Sequence, residues 1–98
     1  MHARVSFYQL PEGGDVDVAL QSFDNAIQTV QDMPGQEGVL FLVDRGSGKA
    51  ITLTLWDSEE SLISTTQQAD SVRQQAASTS GLTIQGVEHY EVVRDLRS

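Results

Sequence analysis

The residues best suited to chemistry in this chain are a few hydroxyls, one tryptophan and one arginine. In Thr52-Leu53-Thr54-Leu55-Trp56, strand alternation puts Thr52, Thr54 and Trp56 on one face and Ile51, Leu53 and Leu55 on the other. In the run from Ala3 to Gln9, Arg4, Ser6 and Tyr8 share one face and Ala3, Val5 and Phe7 the other. Ser6, Thr52 and Thr54 would orient a carbonyl or a bound oxygen, since a hydroxyl both donates and accepts. Ordinary strand propensity explains such threonines equally well. Trp56 ends its strand, so it either stacks on a planar ligand or seals the junction between strand and helix. Arg73 falls near a weakly apolar helix face. There a fixed cation would stabilise an enolate or phenolate, or else lay its stem over apolar surface. Tyr8 and Tyr90 are candidates for lining a pocket or an interface. His89, between Glu88 and Tyr90, titrates near neutrality and is a candidate general base, or a residue at an exposed edge. The two histidines have no i,i+4 or His-X-His spacing, so no metal motif is expected. The absence of cysteine removes thiolate catalysis, disulfides and cysteine-based zinc or iron–sulfur sites.

Composition bounds what those residues can serve. Ninety-eight residues suffice for one domain with a thin core, expected over 1–98. The net charge is −8, and Arg4, Arg45, Lys49, Arg73, Arg94 and Arg97 are scattered, so no basic stripe offers itself to nucleic acid or to an anionic membrane. No apolar run approaches the ~20 residues of a membrane span. Met1-His2-Ala3-Arg4 leads straight into the first strand without an apolar leader, so no signal peptide and a cytoplasmic location are expected.

The elements that must position the candidates can be read from periodicity. After the first strand, Pro11-Glu12-Gly13-Gly14 makes a turn. Asp15 caps an amphipathic helix carrying Val16, Ala19, Leu20, Phe23, Ile27 and Val30, which Met33-Pro34-Gly35 stops. Val39 to Val43 is apolar on both faces, as expected of a strand covered on both sides. Asp44 to Gly48 is a hairpin loop leading into the Lys49–Trp56 strand. Asp57 with Glu60 resembles a capping box opening a second helix over about Ser58 to Ser78, with a break near Gln68-Ala69. Its inward face is small: Leu62, Thr66, Ala69, Val72 and Ala76. That face either leaves a cavity against the sheet or lets the helix lie close and leaves none. Ser80-Gly81 ends it, and the last strand runs from Thr83 to Val93 with a bulge at Gly86. A polar tail covers 94–98.

The order β-α-β-β-α-β with right-handed crossovers gives an α+β, ferredoxin-like fold: a four-stranded antiparallel sheet with two helices on one face. The other face would be bare, although its strands are apolar, so a second copy is expected to cover it as a homodimer.

The run Thr52 to Leu62, the Met33-Pro34-Gly35 turn and the closing Val87-Glu88-His89-Tyr90-Glu91-Val92-Val93 resemble the antibiotic biosynthesis monooxygenase family, over about residues 3–93. The resemblance implies a dimeric α/β barrel with a pocket in each subunit between sheet and helices. It also implies oxidation of a small aromatic or polyketide-like compound by dioxygen without metal or flavin. A non-catalytic module that binds a small ligand or only associates is the alternative on the same fold, and an isomerase or lyase is a third. By the resemblance, Trp56 corresponds to a pocket tryptophan. Thr52 stands where quinone-forming members carry asparagine, Leu62 where they carry tyrosine, and Arg73 matches their helix arginine across a short gap. The haem-degrading branch carries asparagine, tryptophan and histidine where this chain has Ser6, Thr65 and Gln75, so no axial imidazole is supplied and no cofactor is expected. The expected site is therefore Arg73 and Thr52 as catalytic groups, with Trp56, Ser6, Thr54, Leu62 and Tyr8 around the substrate.

Overall fold

The structure, a computed structural model, describes residues 1–97; Ser98, the last residue of the expected tail, lies outside the described residues. Four strands, β1 (His2–Gln9), β2 (Gln36–Asp44), β3 (Lys49–Trp56) and β4 (Thr83–Glu91), form one antiparallel sheet in the order β2-β3-β1-β4. Helix α1 (Val16–Gln31) crosses from β1 to β2. Helices α2 (Glu59–Ser64) and α3 (Thr66–Ser80) cross from β3 to β4. This is the ferredoxin-like α+β arrangement, with the second helix divided in two. No helix among the described residues is long and apolar enough to cross a membrane.

Register decides which side chains meet the helices. Arg4 pairs with Thr54, Ser6 with Thr52 and Tyr8 with Ala50, and Val39, Phe41 and Val43 continue this row on β2. Tyr8 and Ala50 pack with Val16, Ala19, Phe23, Ala76 and Ala77 in the main core. The Tyr8 and Phe23 rings meet edge to face at 5.2 Å. The first strand thus turns its polar face inward. Val5, Phe7, Ile51, Leu53, Leu40 and Leu42 lie on the opposite face, where Leu40 is 51% and Leu42 49% exposed. The covering expected on both sides of β2 is therefore supplied on one side only by the described residues of the single chain.

The helix ends show which local signals won. Asp15 caps α1, its carboxylate accepting from the Asp17 amide. The second helix is capped by Ser58 rather than Asp57: Ser58 Oγ accepts from the Ser61 amide at 3.1 Å. The break falls at Thr65, earlier than Gln68-Ala69. There Thr65 Oγ1 donates to the Ser61 and Leu62 carbonyls and Thr66 Oγ1 to the Leu62 carbonyl, competing for the acceptors that would continue the helix. Gly81, at φ +77°, ends α3 in the left-handed region, as expected of a C-terminal glycine. The β4 irregularity falls one residue before the expected glycine: Gly86 pairs with Phe7 and Ile84 with Tyr8, so Gln85 is the extra residue.

Candidate functional site

The space left beside the small face of α3 is a cavity of about 50 Å³ between sheet and helices. From the sheet it is lined by Arg4, Ser6, Tyr8, Thr52 and Thr54, and from α3 by Ala69, Arg73 and Ala76. The alanines leave the room; the polar row of β1 and β3 places hydroxyl and guanidinium groups on the opposite wall. A groove of about 270 Å³ runs along the seam between α1 and α3. It shares Ala26, Val72 and Ala76 with the cavity, so the seam adjoins the interior.

Arg73 is only 8% exposed, far from a surface arginine. Its Nε donates to Ser6 Oγ at 3.0 Å and its Nη1 to Asp70 Oδ1 at 2.5 Å. One turn of α3 and the first strand thus fix the guanidinium from opposite sides. Ser6 sits beside Thr52 in the sheet, and the Tyr8 and Thr52 hydroxyls lie 3.4 Å apart. Burial pushes the Tyr8 phenol above its ordinary value, partly offset by Thr52, Ser6 and Arg73. Tyr8 is therefore held neutral and serves as a donor or acceptor rather than as a base.

Arg4 is the residue that sequence reasoning missed. It read as one of several scattered basic residues, yet it is 3% exposed and lines the cavity beside Arg73. The available signal was its phase: it alternates with Ser6 and Tyr8, so whatever buried them buried Arg4 too. Its Nη2 donates to the Leu62 carbonyl at 2.6 Å and, more weakly, to Thr66 Oγ1 at 3.4 Å. Its guanidinium lies 5.2 Å over the Trp56 ring. Its Nε is buried without an acceptor among the described residues. Burial, and then the positive charge of Arg73, lower its pKa, and Asp70 opposes the shift.

The other expected site residues are placed differently. Trp56 is 0% exposed and lies outside the cavity lining. It packs on Met33 and Leu62, and its Nε1 donates to Thr54 Oγ1 at 2.9 Å. It is a platform for Arg4 rather than a wall for a ligand. Leu62 is buried in the same cluster and meets the site only through its carbonyl. His89 stands on the edge strand opposite Arg4, in a separate groove with His2 and Glu59. Partial desolvation, and then the charges of Arg4 and Arg73, lower its pKa. No group of three or more potential metal-ligating side chains occurs among the described residues. The cavity lining holds no imidazole or thiolate for a haem iron, and its one phenol, Tyr8, is bonded to Thr52 and pushed toward its neutral form by burial.

The fold is the one seen in solved antibiotic biosynthesis monooxygenases. SnoaB, a cofactor-independent oxygenase from Streptomyces nogalater, superposes with a TM-score of 0.75 at 13% identity, covering 99% of this chain and 97% of that one. A putative antibiotic biosynthesis monooxygenase from Deinococcus radiodurans gives 0.66 at 15% identity, over 100% and 98% of the two chains. The haem degrader MhuD of Mycobacterium tuberculosis gives 0.70 at 19% identity, over 99% and 100%. In sequence, the uncharacterised protein Rv2557 of Mycobacterium tuberculosis strain H37Rv is 35% identical over 78 residues, 76% of this chain and 34% of that protein. The uncharacterised MT2634 of strain CDC 1551 matches to the same extent. The chain spans about a third of the length of the curated relatives it matches. No protein-family model matches it.

Proposed function

We propose that the chain is a cofactor-independent oxygenase for a small phenolic aromatic compound, with Arg73 as the cation facing the reacting oxygen. The observation that carries this reading is the buried Arg73, clamped between Ser6 and Asp70 at the edge of a mostly apolar cavity that has hydroxyls on its sheet side and Phe23, Ile27 and Val30 on its α1 side. A phenol entering beside it ionises more readily, because the cation stabilises the phenolate in a site of low dielectric. Its proton leaves to water along the seam between α1 and α3. Ser6, Tyr8 and Thr52 orient the ring oxygen.

The phenolate carries its negative charge onto the ring carbon para to the oxygen, and that carbon donates electrons to dioxygen. One carbon–oxygen bond forms, giving a peroxide anion that takes a proton back from water to become a hydroperoxide. The hydroperoxide then loses water as the oxygen–oxygen bond breaks and the carbon–hydrogen bond opens. Phenol and dioxygen thus become quinone and water. The substrate is the reductant, and the chain supplies desolvation, orientation and charge. The inner cavity holds only the oxygen-bearing end of such a ring, since pockets for whole drug-sized ligands run to ~300–1,000 Å³. The rest of the ring extends into the seam.

A second reading, a ligand-binding module without turnover, is favoured by one observation: the titratable groups lining the cavity are Arg4, Tyr8 and Arg73, none of them a base at neutral pH. A second copy of the chain is proposed to cover the open sheet face around Leu40 and Leu42. Oxygen-electrode traces with naphthols separate the two functional readings. The oxygenase consumes one dioxygen per quinone and forms no hydrogen peroxide, and Arg73→Ala slows it by on the order of a hundredfold. Binding without oxygen uptake leaves the module; equal rates in Arg73→Ala remove Arg73 from the chemistry.

A further inference from the structure

Beyond the phenolic oxygen assigned to Arg73, we infer that Arg4 anchors a permanently anionic group, so that the ligand of this site is an aromatic carboxylate. This rests on the cavity being a ligand site, the reading given above. The inference comes from a charge count. Two guanidinium groups, 3% and 8% exposed, line one small cavity. Among the described residues a single carboxylate, Asp70, pairs with either of them, and it is bonded to Arg73. Arg4 has only a backbone carbonyl, a threonine hydroxyl and the face of Trp56. None of these carries a formal charge. A buried cation without a counter-ion is costly, and the neighbouring Arg73 adds repulsion. A buried Nε without an acceptor adds an unspent donor. An arginine held under those conditions on an interior strand face is matched to a partner that comes from outside.

A carboxylate on the ligand supplies both missing elements, a negative charge and acceptors in the planar geometry that a guanidinium prefers. Trp56 and the Leu62 carbonyl hold Arg4 in place beforehand. Arg4 is then specificity-determining rather than part of the oxygen chemistry. It distinguishes acids from neutral compounds of the same shape, because a neutral ligand leaves the cation buried and unpaired.

The test compares benzoate with its near-isostere benzamide by isothermal titration calorimetry at fixed ionic strength. In the wild-type chain benzoate binds about 10–100-fold more tightly than benzamide, the range expected for a hydrogen bond to a charged group. Arg4→Gln brings the ratio close to one, while Arg4→Lys keeps part of it, because the charge remains and the planar fork is lost. Should Arg4→Gln not fold, the wild-type ratio and Arg4→Lys still decide the matter. Equal binding of both probes to the wild type, or an unchanged ratio in the Arg4 variants, overturns the inference and leaves the cavity reading standing. Binding of neither probe removes the cavity as a ligand site and the inference with it.

Discussion

Replacing Arg4 by methionine should cost the folded chain little, although the residue is almost fully buried. Several losses and gains oppose each other. The Leu62 carbonyl loses its bond from Arg4 but keeps those from Thr65 Oγ1 and Thr66 Oγ1, so no acceptor is orphaned. That loss is about 1 kcal/mol, the net worth of a satisfied hydrogen bond. The cation–π contact with Trp56 is worth about 1–2 kcal/mol when desolvated. A thioether lying on the same ring restores about 0.3–1.5 kcal/mol of it. Against these stand removal of an uncompensated buried charge and of its repulsion with Arg73. Replacing buried charges by apolar side chains is often neutral or stabilising by about 1–4 kcal/mol. The balance places Arg4→Met between about 2 kcal/mol less stable and about 3 kcal/mol more stable, read by urea unfolding with an unchanged m-value. Benzoate affinity should fall at the same time. A destabilisation above about 3 kcal/mol would refute the reasoning, because it would make Arg4 a structural cation already paired within the fold.

Other consequences can be checked independently. Arg4→Gln should raise the His89 pKa toward the ordinary histidine value, since a nearby positive charge is removed; an NMR titration showing no movement or a fall would contradict the electrostatics. Gly35→Ala should destabilise the chain by more than about 2 kcal/mol. Gly35 has φ +83°, and an added Cβ would stand 2.5 Å from Ser61 Cβ and 2.7 Å from Asp57 Oδ1. A thermal midpoint within a degree or two of the wild type would show that this turn can relax. Light scattering at micromolar concentration should return twice the 10.7 kDa chain mass, and Leu40→Asp with Leu42→Asp should return the single mass; a wild-type monomer contradicts the proposed pairing.

Most of the fold was legible because its elements carry strong local periods. Alternation in β1 and β3, the spacing from Val16 to Val30, and the turn residues at Pro34-Gly35 and Gly81 all agree with the final architecture. The misread features are those where two local signals competed or where distant contacts decided. Asp57 and Ser58 are both good caps, and only the approach of the Ser61 amide selects Ser58. The helix break moves to Thr65 because hydroxyls, and Arg4 reaching across from β1, claim the Leu62 carbonyl. The candidate site was legible by face: Ser6, Tyr8, Thr52 and Thr54 share the inward row with Arg73 opposite. Arg4 was hidden because a charge on a strand ordinarily marks the solvent side. The inward placement of Trp56 could not reveal that its partner is a cation rather than a ligand.

Oxygenation of a phenolic ring held beside Arg73 is the reaction proposed for this site. The most direct measurement supplies isotopically heavy dioxygen and a naphthol to the wild-type chain and to Arg73→Ala, and reads the quinone by mass spectrometry. One heavy oxygen atom per quinone is expected with the wild type, and little quinone with the variant. Quinone without heavy oxygen, or labelled quinone formed as fast by Arg73→Ala, would contradict it.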